Sequence, residues 1–135
     1  MSDPECIRIE IRTEKDIVLA RQTGRNLSIE LGYGRIVQSR IATAISELAR
    51  NIFLYAESGF IEIDIVQQGS LTGLRVIACD QGPGIVDIRK ALQDGYSTSG
   101  ALGAGLPGVK RMMDEFYIDS SEEQGTKVTI IKWKN

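Results

Sequence analysis

Glu47-Leu-Ala-Arg-Asn51, Asp80-Gln-Gly-Pro-Gly84 and Gly100-Ala-Leu-Gly-Ala-Gly-Leu-Pro-Gly108 are the stretches whose joint reading decides the fold. Glu47 and Asn51 are four apart in a segment of helical period, so their side chains project from one face as neighbours. Such a pair is common on a solvated helix. Here both flank the apolar stripe of Leu48 and Ile52, and Asn is a poor mid-helix residue unless its amide has a partner. An amide oxygen is a hard ligand suited to Mg²⁺. A neighbouring carboxylate can take a proton from an attacking hydroxyl.

Asp80 ends a strand-like run and opens a glycine turn. Alone it reads as a turn residue. Beside the other motifs, its carboxylate suits an exocyclic amine such as that of adenine, and Gly82 and Gly84 let the backbone pass under a base where a side chain would collide. Gly103 and Gly105 feed a helix that begins near Leu106. A loose loop is the plain reading, yet a helix N-terminus also favours anions. No Gly-Lys-Ser/Thr follows, which excludes a Walker A loop, and no parallel βαβ unit surrounds it, which excludes a dinucleotide fingerprint. The polar run Gly95–Gly100 has the character of a lid, and Gly125-Thr126 enters a strand.

Around these motifs the pattern alternates between strand and helix. Glu5–Ile11 places Ile7, Ile9 and Ile11 on one face of a strand, with Cys6 inside it. Thr13–Leu31 predicts an amphipathic helix capped by Thr13, and Gly32-Tyr33-Gly34 breaks it. A second helix runs from Arg35 to Tyr55 on a stripe of Ile41, Ile45, Leu48 and Ile52. Phe60–Gln67 and Leu74–Cys79 make a hairpin about a Gly69–Gly73 turn. A glycine-rich segment with a short helix at Asp87–Gln93 follows, then a helix over Leu106–Asp114 and a hairpin of Phe116–Ser120 and Thr126–Trp133. Consecutive hairpins favour an antiparallel or mixed sheet with the helices over one face.

Composition narrows the chemistry. The 135 residues suit one domain with a real core, and a net charge of −2 argues against a nucleic-acid binder. No apolar run is long enough for a bilayer span and the N-terminus lacks a signal-peptide pattern, so a cytoplasmic protein is expected. Cys6 and Cys79 read as small buried side chains. The absence of histidine excludes a Ser-His-Asp triad, the usual zinc constellations and phosphohistidine chemistry.

In this order and spacing the motifs resemble the GHKL ATP-binding family, to which gyrase, MutL and the histidine kinases belong. Glu47…Asn51 is similar to its N box, Asp80-x-Gly82-x-Gly84 to its first glycine box, Gly103-x-Gly105 to its second and Gly125-Thr126 to its third. The resemblance spans nearly the whole chain. It implies the Bergerat fold, an α+β two-layer sandwich with a mixed, mostly antiparallel sheet covered on one face by helices, as one domain over residues 1–135. It also implies ATP and Mg²⁺ as cofactors. Asn51 would then bind the metal, Asp80 select adenine, and Gly103 and Gly105 accept phosphates. Gly82, Gly84, Ile85, Gly100, Ala104, Leu106 and Thr126 would complete the nucleotide site.

Within the family, gyrase and MutL place this module at the head of far longer chains, and histidine kinases tend to carry Asn where this chain has Glu47. Glu47 makes the chain similar to the serine kinases of bacterial partner-switching systems. Gly105-Leu-Pro-Gly-Val-Lys-Arg-Met-Met-Asp-Glu-Phe116 resembles their RsbT-type branch, the switch kinases of stressosome signalling. That resemblance implies Glu47 as the base for a serine or threonine hydroxyl of a STAS-domain protein in a stressosome-like scaffold, with a second, downstream regulatory partner and no nucleic acid or membrane. The alternative reading is an anti-sigma factor or regulatory module that sequesters a partner under nucleotide control. A water-hydrolysing ATPase is a third. SpoIIAB-type relatives carry a lid arginine near the γ-phosphate; none lies between Gly95 and Gly103 here, and Lys110 and Arg111 are the cations that follow.

Overall fold

The computed structural model describes residues 6–56, 58–81, 105–121 and 125–134. Among them the chain runs β1 (Ile7–Glu10), α1 (Glu14–Glu30), α2 (Arg35–Tyr55), β2 (Gly59–Gln68), β3 (Leu71–Asp80), α3 (Gly105–Met112), β4 (Glu115–Ser121) and β5 (Gly125–Lys134). The strands form one sheet in the order β1-β2-β3-β5-β4, and each described pairing is antiparallel. This is the expected two-layer α+β sandwich. The short helix expected at Asp87–Gln93 and the lid at Gly95–Gly100 lie outside the described residues.

Alternation along the strands separates the two faces of the sheet. One row aligns Ile9, Ile61, Ala78, Val128 and Ile118 across the five strands, and the next aligns Ile7, Ile63, Val76, Ile130 and Phe116. Apart from Ile7, which is exposed, these rows meet Ile17 of α1, Ile41, Ile45, Leu48 and Ile52 of α2 and Val109 of α3 in a single core. Each fully buried aliphatic side chain of this kind contributes about 1.5–3 kcal/mol of transfer free energy. The opposite face carries Arg8, Glu62, Asp64, Arg75 and Lys127, with Arg75 paired to Asp64 through two hydrogen bonds.

Three local readings change. The β2–β3 turn is tighter than expected. Gln68 pairs with Leu71, so Gly69 and Ser70 alone make the loop, and the positive φ of 61° at Gly69 is what a two-residue hairpin needs. Gly73 is a strand residue opposite Val66, and the Trp133 ring lies against it. Cys6 precedes β1 and is exposed, because the apolar alternation of that strand begins at Ile7; Cys79 is half-buried, and burial pushes its thiol pKa up.

The break between the helices also has a job that glycine content did not reveal. Tyr33 is buried, and its hydroxyl donates to the Lys132 carbonyl while accepting the Leu74 N–H at 3.1 Å. Leu74 and Lys132 face each other across β3 and β5, so the phenol ties the interhelical turn into the sheet. At the other end of α1, the Asp16 carboxylate accepts the backbone N–H groups of Arg12 and Thr13, each at 2.8 Å. These bonds satisfy donors at the helix start and hold the Asp16 pKa below its ordinary value.

One end of the sheet is packed too closely for side chains. A Cβ on Gly59 would stand 2.5 Å from Ile52 Cγ2 and 2.6 Å from the Cys79 carbonyl oxygen. Gly125, at φ 80°, lies so near that a Cβ would stand 2.1 Å from the Asp80 carbonyl oxygen. Both glycines therefore bring backbone or helix against the end of β3.

Two expected outcomes test these features. Gly125→Ala combines a left-handed φ with a backbone clash and lowers stability by about 1–3 kcal/mol or more. Gly69→Ala, at φ 61° with nothing within 4 Å, loses less; equal losses in denaturant titrations would show that the approach to Asp80 is not tight. Asp16→Ala weakens the fold by up to about 1 kcal/mol at neutral pH. Because the folded pKa is depressed, that contribution exists above the ordinary Asp pKa of about 3.9 and is lost as pH falls through the lower folded value. The gap between wild type and variant should therefore close in acid.

Candidate active site

Glu47 and Asn51 lie one turn apart in the C-terminal half of α2, as their spacing requires. Glu47 is 6% exposed, the only acidic residue in the buried set among the described residues. Its Oε1 lies 3.4 Å from Arg50 Nη1, while Oε2 is buried with no hydrogen-bond partner among the described residues. A carboxylate oxygen in that state is costly, since burial removes water without replacing it. Asn51, half-buried, is followed directly by Ile52, which seats in the space above Gly59.

The same space brings the strand residues to this helix. Gly59, Asp80, Thr126 and Ser120 form one cross-strand row. The point a Gly59 Cβ would occupy is 2.5 Å from Ile52 and 3.1 Å from Asp80 Cβ, so the helix stands over the end of β3. Asp80 is half-buried at its strand's last position. Thr126 is 9% exposed, and its Oγ1 lies 2.8 Å from Ser120 Oγ. Asn51, Asp80 and Thr126 thus gather at one end of the sheet, with Glu47 one turn further along α2.

Gly105 opens α3 at φ 52°, and α3 packs on α2. The side chain of Leu106 joins the core, which leaves its backbone N–H, one of the free donors of a helix start, as the group it offers a ligand. Lys110 and Arg111 occupy the last turn of α3, the end remote from Gly105. Gly82, Gly84, Ile85, Gly100, Gly103 and Ala104 lie outside the described residues.

Sequence reading passed over Arg50. It is the cation beside Glu47, and the i, i+3 spacing on a helix was the available signal. A cleft of about 460 Å³ opens at this end of the sheet, lined by Arg8, Glu10, Phe60, Cys79 and Lys127 and bordered by Asp80 and Thr126. Arg8, Glu10, Phe60, Cys79 and Lys127 belong to the face opposite the helices, whereas Gly59, Asp80 and Thr126, which also line the cleft, belong to the row beneath α2. Among the described residues no three acidic, histidine or cysteine side chains cluster as a metal site. A single amide oxygen completed by phosphates and water, the ligand set natural to Mg²⁺, needs no such cluster. A carboxylate oxygen unpaired among the described residues, an amide one turn away and a strand-end aspartate are donors and acceptors of the kind a nucleotide, its metal and an incoming hydroxyl require.

Comparison with known proteins agrees with this architecture. Residues 36–135 match the family of histidine kinase-, DNA gyrase B- and HSP90-like ATPases. The chain is 60% identical over 133 residues to the serine/threonine-protein kinase RsbT of Bacillus subtilis strain 168, covering 98% of each. It is 32% identical over 99 residues to an anti-sigma F factor of Thermoanaerobacter sp. strain X514, covering 69% of this chain and 68% of that one. In fold it is similar to the mycobacterial sensor histidine kinase MprB, with a TM-score of 0.56 at 13% identity over 96% of this chain and 97% of that one. The catalytic domain of histidine kinase ThkA gives 0.52 at 15% identity over 95% of each. The chain belongs to the histidine kinase-, DNA gyrase B- and HSP90-like ATPase family, in its branch of serine/threonine-protein kinases and anti-sigma F factors.

Proposed function

We propose that this kinase transfers the γ-phosphoryl group of Mg²⁺-ATP to a serine or threonine of a STAS-domain protein in a stressosome-like scaffold, and then engages a second regulatory protein as a partner switch in the cytoplasm. The observation that carries the catalytic part is Glu47: nine-tenths buried, with one oxygen held beside Arg50 and the other unpaired among the described residues. Bound Mg²⁺-ATP supplies the phosphoryl group and neutralises charge on the phosphates. Glu47 Oε2 takes the proton of the acceptor hydroxyl, and Arg50 keeps that carboxylate in one orientation. Asn51 offers its amide oxygen to Mg²⁺. Asp80 would receive the adenine amine, with Gly82, Gly84, Ile85 and Thr126 as further residues of the nucleotide site. Gly105 and the Leu106 N–H at the start of α3 would hold the phosphates, together with Gly100, Gly103 and Ala104. No described helix is long and apolar enough to cross a membrane.

The relatives named anti-sigma F factor support a second reading, in which the main output is sequestration under nucleotide control. Incubating the chain with radiolabelled ATP and either a STAS-domain protein or a sigma factor separates the two. Label on a STAS serine or threonine supports the kinase reading, and a stable sigma complex without label supports sequestration.

Glu47→Gln keeps the shape of the side chain and removes the base. Transfer should fall by roughly 10²–10⁴-fold with nucleotide affinity unchanged; undiminished transfer removes Glu47 from the mechanism. Asn51→Ala should raise the Mg²⁺ concentration needed for half-maximal ATP binding by roughly tenfold or more. An unaltered Mg²⁺ titration would place the metal elsewhere.

A further inference from the structure

Glu47 belongs to a longer line of side chains. Spacings of four and three residues place Ile36, Arg40, Thr43, Glu47, Arg50 and Leu54 on one face of α2. Exposure along this line is interrupted once. Ile36 is 70% exposed and Leu54 47%, whereas Glu47 is 6%. Arg40 and Thr43 are exposed, and the Arg50 side chain is 37% exposed. The buried carboxylate therefore sits between two exposed arms of one surface. The arm from Ile36 to Glu47 is about 16 Å long and the arm from Glu47 to Leu54 about 10 Å.

Charge on this face is one-sided. α2 contains Arg35, Arg40 and Arg50 and no acidic residue besides Glu47, in a chain whose net charge is −2. Ile36 is the most exposed large apolar side chain among the described residues. A lone exposed isoleucine needs no explanation. In line with Arg40 and with Glu47, it makes a surface with an apolar and a cationic contact point before the proposed base.

We infer that this face of α2 is the docking track for the protein substrate, and that it takes a substrate surface with an acidic residue and an apolar residue on one side of the accepting serine or threonine. The inference rests on the reading of Glu47 as the base. A hydroxyl placed on Glu47 Oε2 leaves its neighbours running along α2. Arg40 lies about 10 Å from Glu47 along the axis, which is three residues of extended chain. A carboxylate at that separation forms a charge-assisted pair with the Arg40 guanidinium. An apolar side chain some 6 Å further covers Ile36. The sign of the charge excludes a basic partner segment, since like charges brought together oppose docking.

The test uses the full chain and the STAS-domain protein that the wild type phosphorylates, at saturating ATP. Arg40→Glu should raise the KM for the protein substrate roughly tenfold and leave kcat within about twofold, the signature of lost ground-state docking. Ile36→Ser should raise it about threefold. ATP affinity and thermal midpoint should match wild type in both, and replacing the facing acidic residue of the substrate by Lys should restore Arg40→Glu. Unchanged KM in both variants, with wild-type transfer intact, overturns the track and leaves the role of Glu47 standing. A changed oligomeric state in sedimentation with KM unchanged overturns it too, by making the face a contact between copies. If wild type labels no STAS-domain protein, the kinase reading and the track fall together.

Discussion

The seat of Ile52 above Gly59 is the contact on which the rest of the site depends. Gly59 has no side chain, so the helix can stand where a Cβ would lie 2.5 Å from Ile52 Cγ2. Helices are rigid over a turn, so placing Ile52 also places Asn51 beside it and Glu47 one turn earlier. On the strand side, the near contact of Gly125 with the Asp80 carbonyl draws β5 against the end of β3 and puts Thr126 opposite Asp80. Two missing side chains thus bring helix and strand residues to one end of the sheet.

That arrangement holds a carboxylate in an unfavourable place. Glu47 is buried, with Arg50 at 3.4 Å as its charge partner and one oxygen unpaired among the described residues. An isolated pair of this kind is a poor source of stability, because desolvation offsets most of the Coulomb attraction. The surrounding core offsets that cost: Ile41, Ile45, Leu48 and Ile52 pin the opposite side of the same helix against the sheet. Packing on one face of α2 leaves the proposed base and the proposed docking face on another.

Most elements were legible because their periods were clean. The isoleucine alternation in β1 and β2 and the stripe along α2 each match one secondary structure, and the three described helices and five strands fall within a few residues of where the pattern put them. The misreadings occurred where one residue type serves two purposes. Gly73 looked like the end of a turn, yet it is a strand residue whose missing side chain makes room for Trp133. Tyr33 looked like part of a helix break, yet its hydroxyl joins β3 to β5. Arg50 was passed over, although it sits beside a buried acid. Each role depends on atoms distant in sequence, which no local pattern contains.

By itself the sequence determined the α+β class, the phase of α2 and therefore the shared face of Glu47 and Asn51, because helical spacing is a local property of the chain. It also carried four motifs whose joint order is specific to one ATPase family. Only the tertiary structure decided that Glu47 is buried with one oxygen unpaired among the described residues, that Ile52 sets the helix above Asp80, and that Ile36 and Arg40 on the same face stay in the open. Burial and close approach depend on which segments meet in space. Residues 52, 59, 80 and 126 come together only after the sheet has closed and α2 has packed on it.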